Sequence, residues 1–178
     1  KRQVVGLDYG LKLQPRVPGL KSFQVWAWYT AVLHASEEKT DDTGRHYDER
    51  IGDLSRHKLH FGVSARLDGH ASASLRGRVI GEAETVPTNP VPKTERYMTV
   101  DAAVEYRDIL GSGLGLSLSA QNLFDAQVLE PGIADAAAGT TPGSYDANGV
   151  YQGGSKSYFN SLMPQPGFTM LLSLWLER

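Results

Sequence analysis

The reading of the fold turns on residues 57–79, HKLHFGVSARLDGHASASLRGRV. Leu59, Phe61, Val63 and Ala65 occupy every second position, with His60, Gly62 and Ser64 between them. After Asp68-Gly69 the alternation resumes: Ala71, Ala73, Leu75, Gly77 and Val79 on one side, Ser72, Ser74, Arg76 and Arg78 on the other. Successive side chains of a strand point to opposite faces, so a period of two predicts two strands, each with one apolar and one polar face. Asp-Gly between them predicts a two-residue hairpin turn with positive φ at both positions.

The same pattern extends in both directions. Upstream, Val5, Leu7, Tyr9, Leu11 and Leu13 alternate with Gly6, Asp8, Gly10 and Lys12; a less regular segment runs from Phe23 to Leu33, with Trp26 and Trp28 opposing Val25, Ala27 and Tyr29. Downstream, Met98, Val100, Ala102, Val104 and Tyr106 face away from Thr99, Asp101, Ala103, Glu105 and Arg107. Leu114, Leu116, Leu118 and Ala120 alternate with Gly115, Ser117, Ser119 and Gln121, and Phe168, Met170, Leu172, Leu174 and Leu176 close the chain. The expectation is an all-β, antiparallel meander of about seven strands.

The connections decide the setting. Pro15–Lys21, Asp68-Gly69 and Asp108–Gly113 are short; Ala35–Arg56, Gly81–Arg96 and Asp125–Gly167 are long, and the two kinds alternate along the chain. A transmembrane β-meander has this rhythm, with short turns on the periplasmic side and long loops outside. Each apolar face covers about 9–11 residues, the length with which a tilted strand crosses hydrocarbon. Asp8, Lys12, Arg76, Arg78, Asp101, Glu105 and Arg107 share the other side, as in a wet lumen. About seven strands do not close around such a lumen, since bacterial single-chain barrels use an even number from eight upward. The expectation is therefore a partial segment of a large outer-membrane β-barrel. Lys1-Arg2-Gln3 enters a strand directly, without a signal peptide or initiator Met, and further strands are expected before it.

Composition agrees. The 178 residues have the length of one domain. A net charge of −2 and a pI near 6.2 give no basic field for nucleic acid. Cysteine is absent, which excludes a disulfide scaffold and Cys-ligated zinc. Mean hydropathy is −0.32, and no run reaches the roughly 18 apolar residues of a membrane helix; a membrane barrel reads the same way, because only alternate residues meet lipid.

Few residues carry candidate chemistry. Glu37, Glu38, Asp41, Asp42, Asp48, Glu49 and His46 crowd one long connection, but without the Asp-x-Asp-x-Asp-Gly spacing of a calcium loop, so a solvated loop is the expectation. His57 and His60 fall on opposite faces, and no metal site or cofactor is expected. Gly111-Ser112-Gly113-Leu114-Gly115 precedes a strand and reads as a turn rather than a phosphate loop. The long connection 125–167 holds Tyr145, Tyr151 and Tyr158 among glycines and serines, a composition suited to ligand recognition. Arg76 and Arg78 are candidate anion-attracting residues of the lumen, although such arginines more often pair with lumen carboxylates or with residues of a plug.

Two pieces of sequence carry a resemblance. Asn122-Leu123-Phe124-Asp125 ends the penultimate strand, and Pro164-Gln165-Pro166-Gly167 opens the last. Together they resemble the C-terminal end of a TonB-dependent outer-membrane receptor. Ser55-Arg56-His57 and Tyr97-x-x-Val100-Asp101 resemble that family's strand starts. Phe168 stands where the family usually has Arg, Ser55 where it has Pro, and the chain ends Trp175-Leu176-Glu177-Arg178 rather than on an aromatic residue. The resemblance implies that residues 1–178 are the C-terminal part of a receptor barrel, with no plug domain among them and no catalytic residue. It implies a bacterial outer-membrane location, extracellular long connections, and TonB-dependent uptake of a scarce nutrient such as an iron–siderophore complex. The implied partners are outer-membrane lipid, the small-molecule ligand, the outer-membrane assembly machinery, and the TonB complex through a plug domain outside this chain. The alternatives are a passive porin-like channel, an outer-membrane hydrolase using His60 and Ser64, and a soluble β-sandwich binding module.

Overall fold

The computed structural model describes residues 1–40, 43–52, 54–85, 89, 91–131, 144–145, 151–152 and 162–176. In chain order the strands are β1 (Arg2–Leu13), β2 (Ser22–Thr40), β3 (His46–Arg50), β4 (Leu54–Ser55), β5 (His57–Arg66), β6 (Ala71–Ile80), β7 (Ala83–Glu84), β8 (Lys93–Thr94), β9 (Tyr97–Tyr106), β10 (Leu114–Gln121), β11 (Leu129–Pro131), β12 (Ser144–Tyr145), β13 (Tyr151–Gln152), β14 (Leu162–Pro164) and β15 (Thr169–Leu176). Eight of them form one sheet: seven follow one another in the order β1-β2-β5-β6-β9-β10-β15, β3 pairs with β2 off this path, and each neighbouring pair is antiparallel. The sheet is open between β1 and β15. This is the expected meander, and the alternating apolar and polar residues are its cause.

Register shows how strictly the pattern is kept. One rung crosses the whole sheet as Leu13, Val25, Val63, Leu75, Ala102, Ala120 and Met170, with no polar residue in it. Directly paired residues share a face, so this rung and its parallels, such as Leu11, Ala27, Phe61, Gly77 and Val100, build one apolar side. That side is not covered by protein: Leu7, Tyr9, Leu11, Leu13, Leu75, Val104, Met170, Leu172 and Leu174 are exposed. Among the described residues only Ala31, Ala83 and Val128 are buried apolar side chains. A soluble sandwich buries such a face against a second sheet; this sheet presents it outward.

Three expectations about connections need correction. The turn between β5 and β6 is not a two-residue loop with positive φ. The Leu67 N–H donates to the Ala71 carbonyl at 3.0 Å, leaving Asp68, Gly69 and His70 in the loop. Asp68 replaces the expected backbone geometry with its side chain, accepting the His70 and Ala71 N–H groups at 2.7 Å each, and neither Asp68 nor Gly69 has positive φ. Second, the connection assigned to residues 35–56 is largely strand: β2 continues to Thr40 and pairs with β3 from Ser36↔Arg50 to Thr40↔His46. Its charged residues concealed a strand that lies beyond the apolar band. Third, residues 81–96 contain β7 and β8, which join β4 in a three-stranded sheet of their own.

Candidate functional site

The polar face is built by rungs that the register brings together. One holds Lys12, Trp26, Gly62, Arg76 and Asp101; the next holds Gly10, Trp28, His60, Arg78 and Thr99; a third holds Asp8, Thr30, Lys58, Ile80 and Tyr97. Both predicted arginines thus stand side by side with a lysine and a histidine on one surface. The Thr30 hydroxyl donates to Asp8 at 2.6 Å. Arg78 is anchored: its Nε donates to Thr99 Oγ1 at 2.9 Å and its guanidinium lies 5.6 Å from the centre of the Tyr97 ring. Tyr97 in turn donates its hydroxyl to Glu130 at 3.1 Å. Neither Arg76 nor Arg78 forms an ion pair among the described residues, although Asp101 is the cross-strand neighbour of Arg76. The expected pairing of such arginines with lumen carboxylates is therefore not found among the described residues. Arg78 uses a hydroxyl and a ring instead, and Arg76 is exposed.

The wall is levelled by rings laid over glycines. Trp28 covers Gly10, Trp26 covers Gly62, Phe61 covers Gly77 and Trp175 covers Gly115. In each case the two residues are direct cross-strand partners. A Cβ on Gly62 would meet the Trp26 ring at 2.8 Å and the Leu75 carbonyl at 2.9 Å. An aromatic side chain over a strand glycine restores the contact that the missing side chain forfeits. Neither the ring–glycine pairs nor the Arg78–Tyr97–Glu130 chain was found from sequence, because both depend on register between strands that are far apart in the chain.

The ends of the sheet differ. The three long connections lie at one end, as antiparallel alternation requires. There the Ser55 hydroxyl donates to the His57 and Gly81 carbonyls at 3.0 and 2.9 Å. Ala83, Val128, Thr85 and Thr94 are buried at this end. Each end also has a ring pair. Tyr29 stacks on His57 with centroids 6.1 Å apart and its hydroxyl 2.7 Å from Nδ1, and His70 stacks on Tyr106 at 6.3 Å. Tyr106 at the short-turn end therefore has a histidine partner, and the other end has a matching pair.

The described acidic residues of the connection 35–56 expected to be a solvated loop lie instead on the paired strands β2 and β3, and three of them are ion-paired. Glu37 pairs with Arg2 at 2.8 Å, Glu49 with Lys39, and Glu38 with His46 at 3.5 Å. Asp41 and Asp42 lie outside the described residues. Among the described residues no group of three or more His, Asp or Glu could hold a metal. Of the three loop tyrosines, Tyr145 and Tyr151 are paired across the β12–β13 hairpin, and Tyr158 lies outside the described residues. His60 and Ser64 share the polar face but form no hydrogen bond with each other, and His57 is on the opposite face with Tyr29.

The Asn122–Asp125 and Pro164–Gly167 motifs form one clamp. Asn122 and Asp125 adopt positive φ, 50° and 49°. The Asn122 side chain, 5 % exposed, accepts the Ala126 N–H and donates to the Ala126 carbonyl, both at 2.9 Å. Its own N–H donates to Asp101 at 2.9 Å. Asp125 reaches across the long connection to accept the Phe168 N–H at 2.8 Å, and a Cβ on Gly167 would collide with the same carboxylate oxygen. Pro164 pairs with Leu129, and the Gln165 N–H donates to the Val128 carbonyl at 2.9 Å. Leu123 is held through its N–H on the Val100 carbonyl at 2.8 Å, Phe124 is 72 % exposed, and Pro166 is exposed. Phe168 takes part through its backbone, so the departure from Arg at that position leaves the clamp intact.

No protein-family model and no curated protein sequence matches the chain. Solved structures do. The closed form of the ferric-catecholate import receptor Fiu of Escherichia coli K12 matches over 97 % of this chain at 20 % identity, with a TM-score of 0.57. The open form of Fiu matches over the same share at 16 % identity and a TM-score of 0.50. The chain spans only 20 % and 26 % of those two receptor chains. At these identities the likeness shows the fold: the open sheet is like a segment of the β-barrel wall.

Proposed function

We propose that residues 1–178 are the C-terminal part of the β-barrel of a bacterial outer-membrane receptor, which takes up an iron–siderophore complex by a TonB-dependent route. The observation that carries this reading is the match of 97 % of the chain to a ferric-catecholate import receptor, by a sheet whose uncovered apolar face and charged opposite face suit lipid and a wet lumen. The plug domain through which TonB acts lies outside this chain. Arg76, without an ion pair among the described residues, faces the lumen, and Arg78 is fixed beside it by Thr99 and Tyr97. Two neighbouring guanidinium groups favour an anionic iron chelate bearing catecholate or carboxylate oxygens. Tyr145, Tyr151 and Tyr158, on the longest connection, are of the residue type suited to recognising such a ligand. No bond is made or broken in the ligand, so the residues bind and guide and none is assigned a catalytic role.

The test uses the complete receptor in an iron-starved bacterium that depends on it. Uptake of a ferric catecholate is expected to require TonB. Arg76→Gln is expected to weaken uptake affinity about tenfold, equivalent to roughly 1.4 kcal/mol. Uptake that continues without TonB favours the passive porin. Unchanged affinity after Tyr145, Tyr151 and Tyr158 are all replaced by Ala removes the tyrosines from recognition.

A further inference from the structure

The groove at the long-connection end of β5 and β6 is lined by Arg50, Arg56, His57, Gly81, Glu82, Glu84, Lys93 and Arg96, around about 380 Å³. Its charges do not cancel. Arg50 pairs with Glu84, and Lys93 approaches Glu82 at 3.7 Å. That uses both carboxylates and leaves Arg56 and Arg96, both exposed, with no ion partner among the described residues. Two guanidinium groups without counter-ions on one concave surface are a site for an anion, and their planar fork of donors matches a phosphate.

Its position selects the source of that phosphate. His57 belongs to the apolar side, where its ring stacks on Tyr29 and its Nδ1 lies 2.7 Å from the Tyr29 hydroxyl. Tyr29 is directly paired with Tyr9, which is 62 % exposed, and their rung continues as Leu59, Val79 and Met98 without a charge. The groove therefore lies where the apolar side stops and charged residues begin. Tyrosines at such a border sit at headgroup level in a membrane, where lipid phosphates are found. A soluble anion has no need of a site bordered by an uncovered apolar face.

We propose that this groove binds the phosphate monoester of a lipid headgroup in the leaflet around the long-connection end, with Arg56 and Arg96 as its principal donors. The proposal rests on the barrel reading above. The test incorporates the complete receptor into phosphatidylcholine bilayers containing a few per cent of either phosphatidic acid or diacylglycerol, the same lipid without its phosphate. Lipid kept through a detergent wash is quantified by mass spectrometry. Wild type is expected to retain phosphatidic acid in preference to diacylglycerol, and Arg56→Gln/Arg96→Gln to retain about tenfold less of it. Inorganic phosphate in excess is expected not to displace the lipid. Equal retention by the double variant overturns the proposal, and complete displacement by inorganic phosphate reassigns the groove to a soluble anion. Arg96→Gln alone, at an exposed position, provides the same reading if the double variant does not insert. Insertion is scored in the same samples by protease protection. Wild type that does not insert ends the barrel reading and this proposal together, whereas insertion with equal retention ends only the lipid site.

Discussion

The two ends of the sheet are held in different ways. At the short-turn end two turns are closed by their own side chains, and the longer-range contact described there is that of His70 with Tyr106 and Arg107. Asp68 accepts two N–H groups, and Asp108, at φ 53°, accepts the Gly113 N–H at 2.8 Å. At the long-connection end closure is by residues distant in sequence. Asp125 holds Phe168, Asn122 reaches Asp101, Tyr97 reaches Glu130, and Arg50 reaches Glu84. The few buried side chains lie mainly there too, with Val128 only 2 % exposed. Between the ends the sheet has no core of its own and presents one face outward. Local closure leaves turns that can be exchanged one at a time; distant closure makes one end behave as a unit.

If that contrast is right, the largest effect comes from breaking the clamp. Asn122→Val removes both bonds to Ala126 and places a β-branched residue at φ 50°. Two hydrogen bonds at about 1 kcal/mol each, with about 1–2 kcal/mol for the backbone conformation, give an expected loss of about 3–4 kcal/mol. Unfolding of the complete protein in detergent, followed by heat-dependent gel mobility, measures it. A loss no larger than that of a comparable change at the short-turn end removes the contrast.

Gly62 tests the wall between the ends. Gly62→Ala sets a Cβ against the Trp26 ring and the Leu75 carbonyl, at 2.8 and 2.9 Å. The ring can swing aside, but the carbonyl belongs to the neighbouring strand. Overpacking of this kind costs about 1–3 kcal/mol. Pairing the change with Trp26→Ala separates the two contacts: a cost that persists belongs to the backbone, and one that vanishes belongs to the ring.

What could be read from sequence follows the same division. The wall was legible because an uncovered apolar face demands strict alternation, and Leu59–Ala65 and Ala71–Val79 keep it. The side of each lumen charge from Asp8 to Glu105 followed from parity alone. The β2–β3 extension was not legible, since Glu37, Glu38 and Lys39 show no apolar face once the strand passes the apolar band. Asp68-Gly69 indicated a turn but not its type, because an Asp side chain can replace the backbone bonds that a shorter turn uses. The motif Asn122–Asp125 was visible as a pattern, while its cause, a carboxylate 43 positions from the N–H it accepts, required the fold. The groove of Arg56 and Arg96 was invisible for the same reason: its residues come from two connections and the start of β5, and meet only through the register.

The smallest effect is expected at the short-turn end and is set by pH. The Ala71 and His70 N–H groups, in that order, hold the Asp68 carboxyl below its ordinary value of 3.8. A carboxyl with a depressed folded-state pKa binds more protons in the unfolded chain. Its contribution is therefore fully present above the ordinary value and is lost as pH falls through the lower, folded value. Asp68→Asn keeps an oxygen acceptor for the two N–H groups but removes the charge. At neutral pH the variant is expected to be slightly less stable than wild type, and the difference is expected to close as pH falls below about 4. Unfolding midpoints of the two proteins measured from neutral to acidic pH decide it. Curves that stay parallel throughout would mean that the turn is held by geometry rather than charge. The short end would then differ from the clamp only in the distance its contacts span.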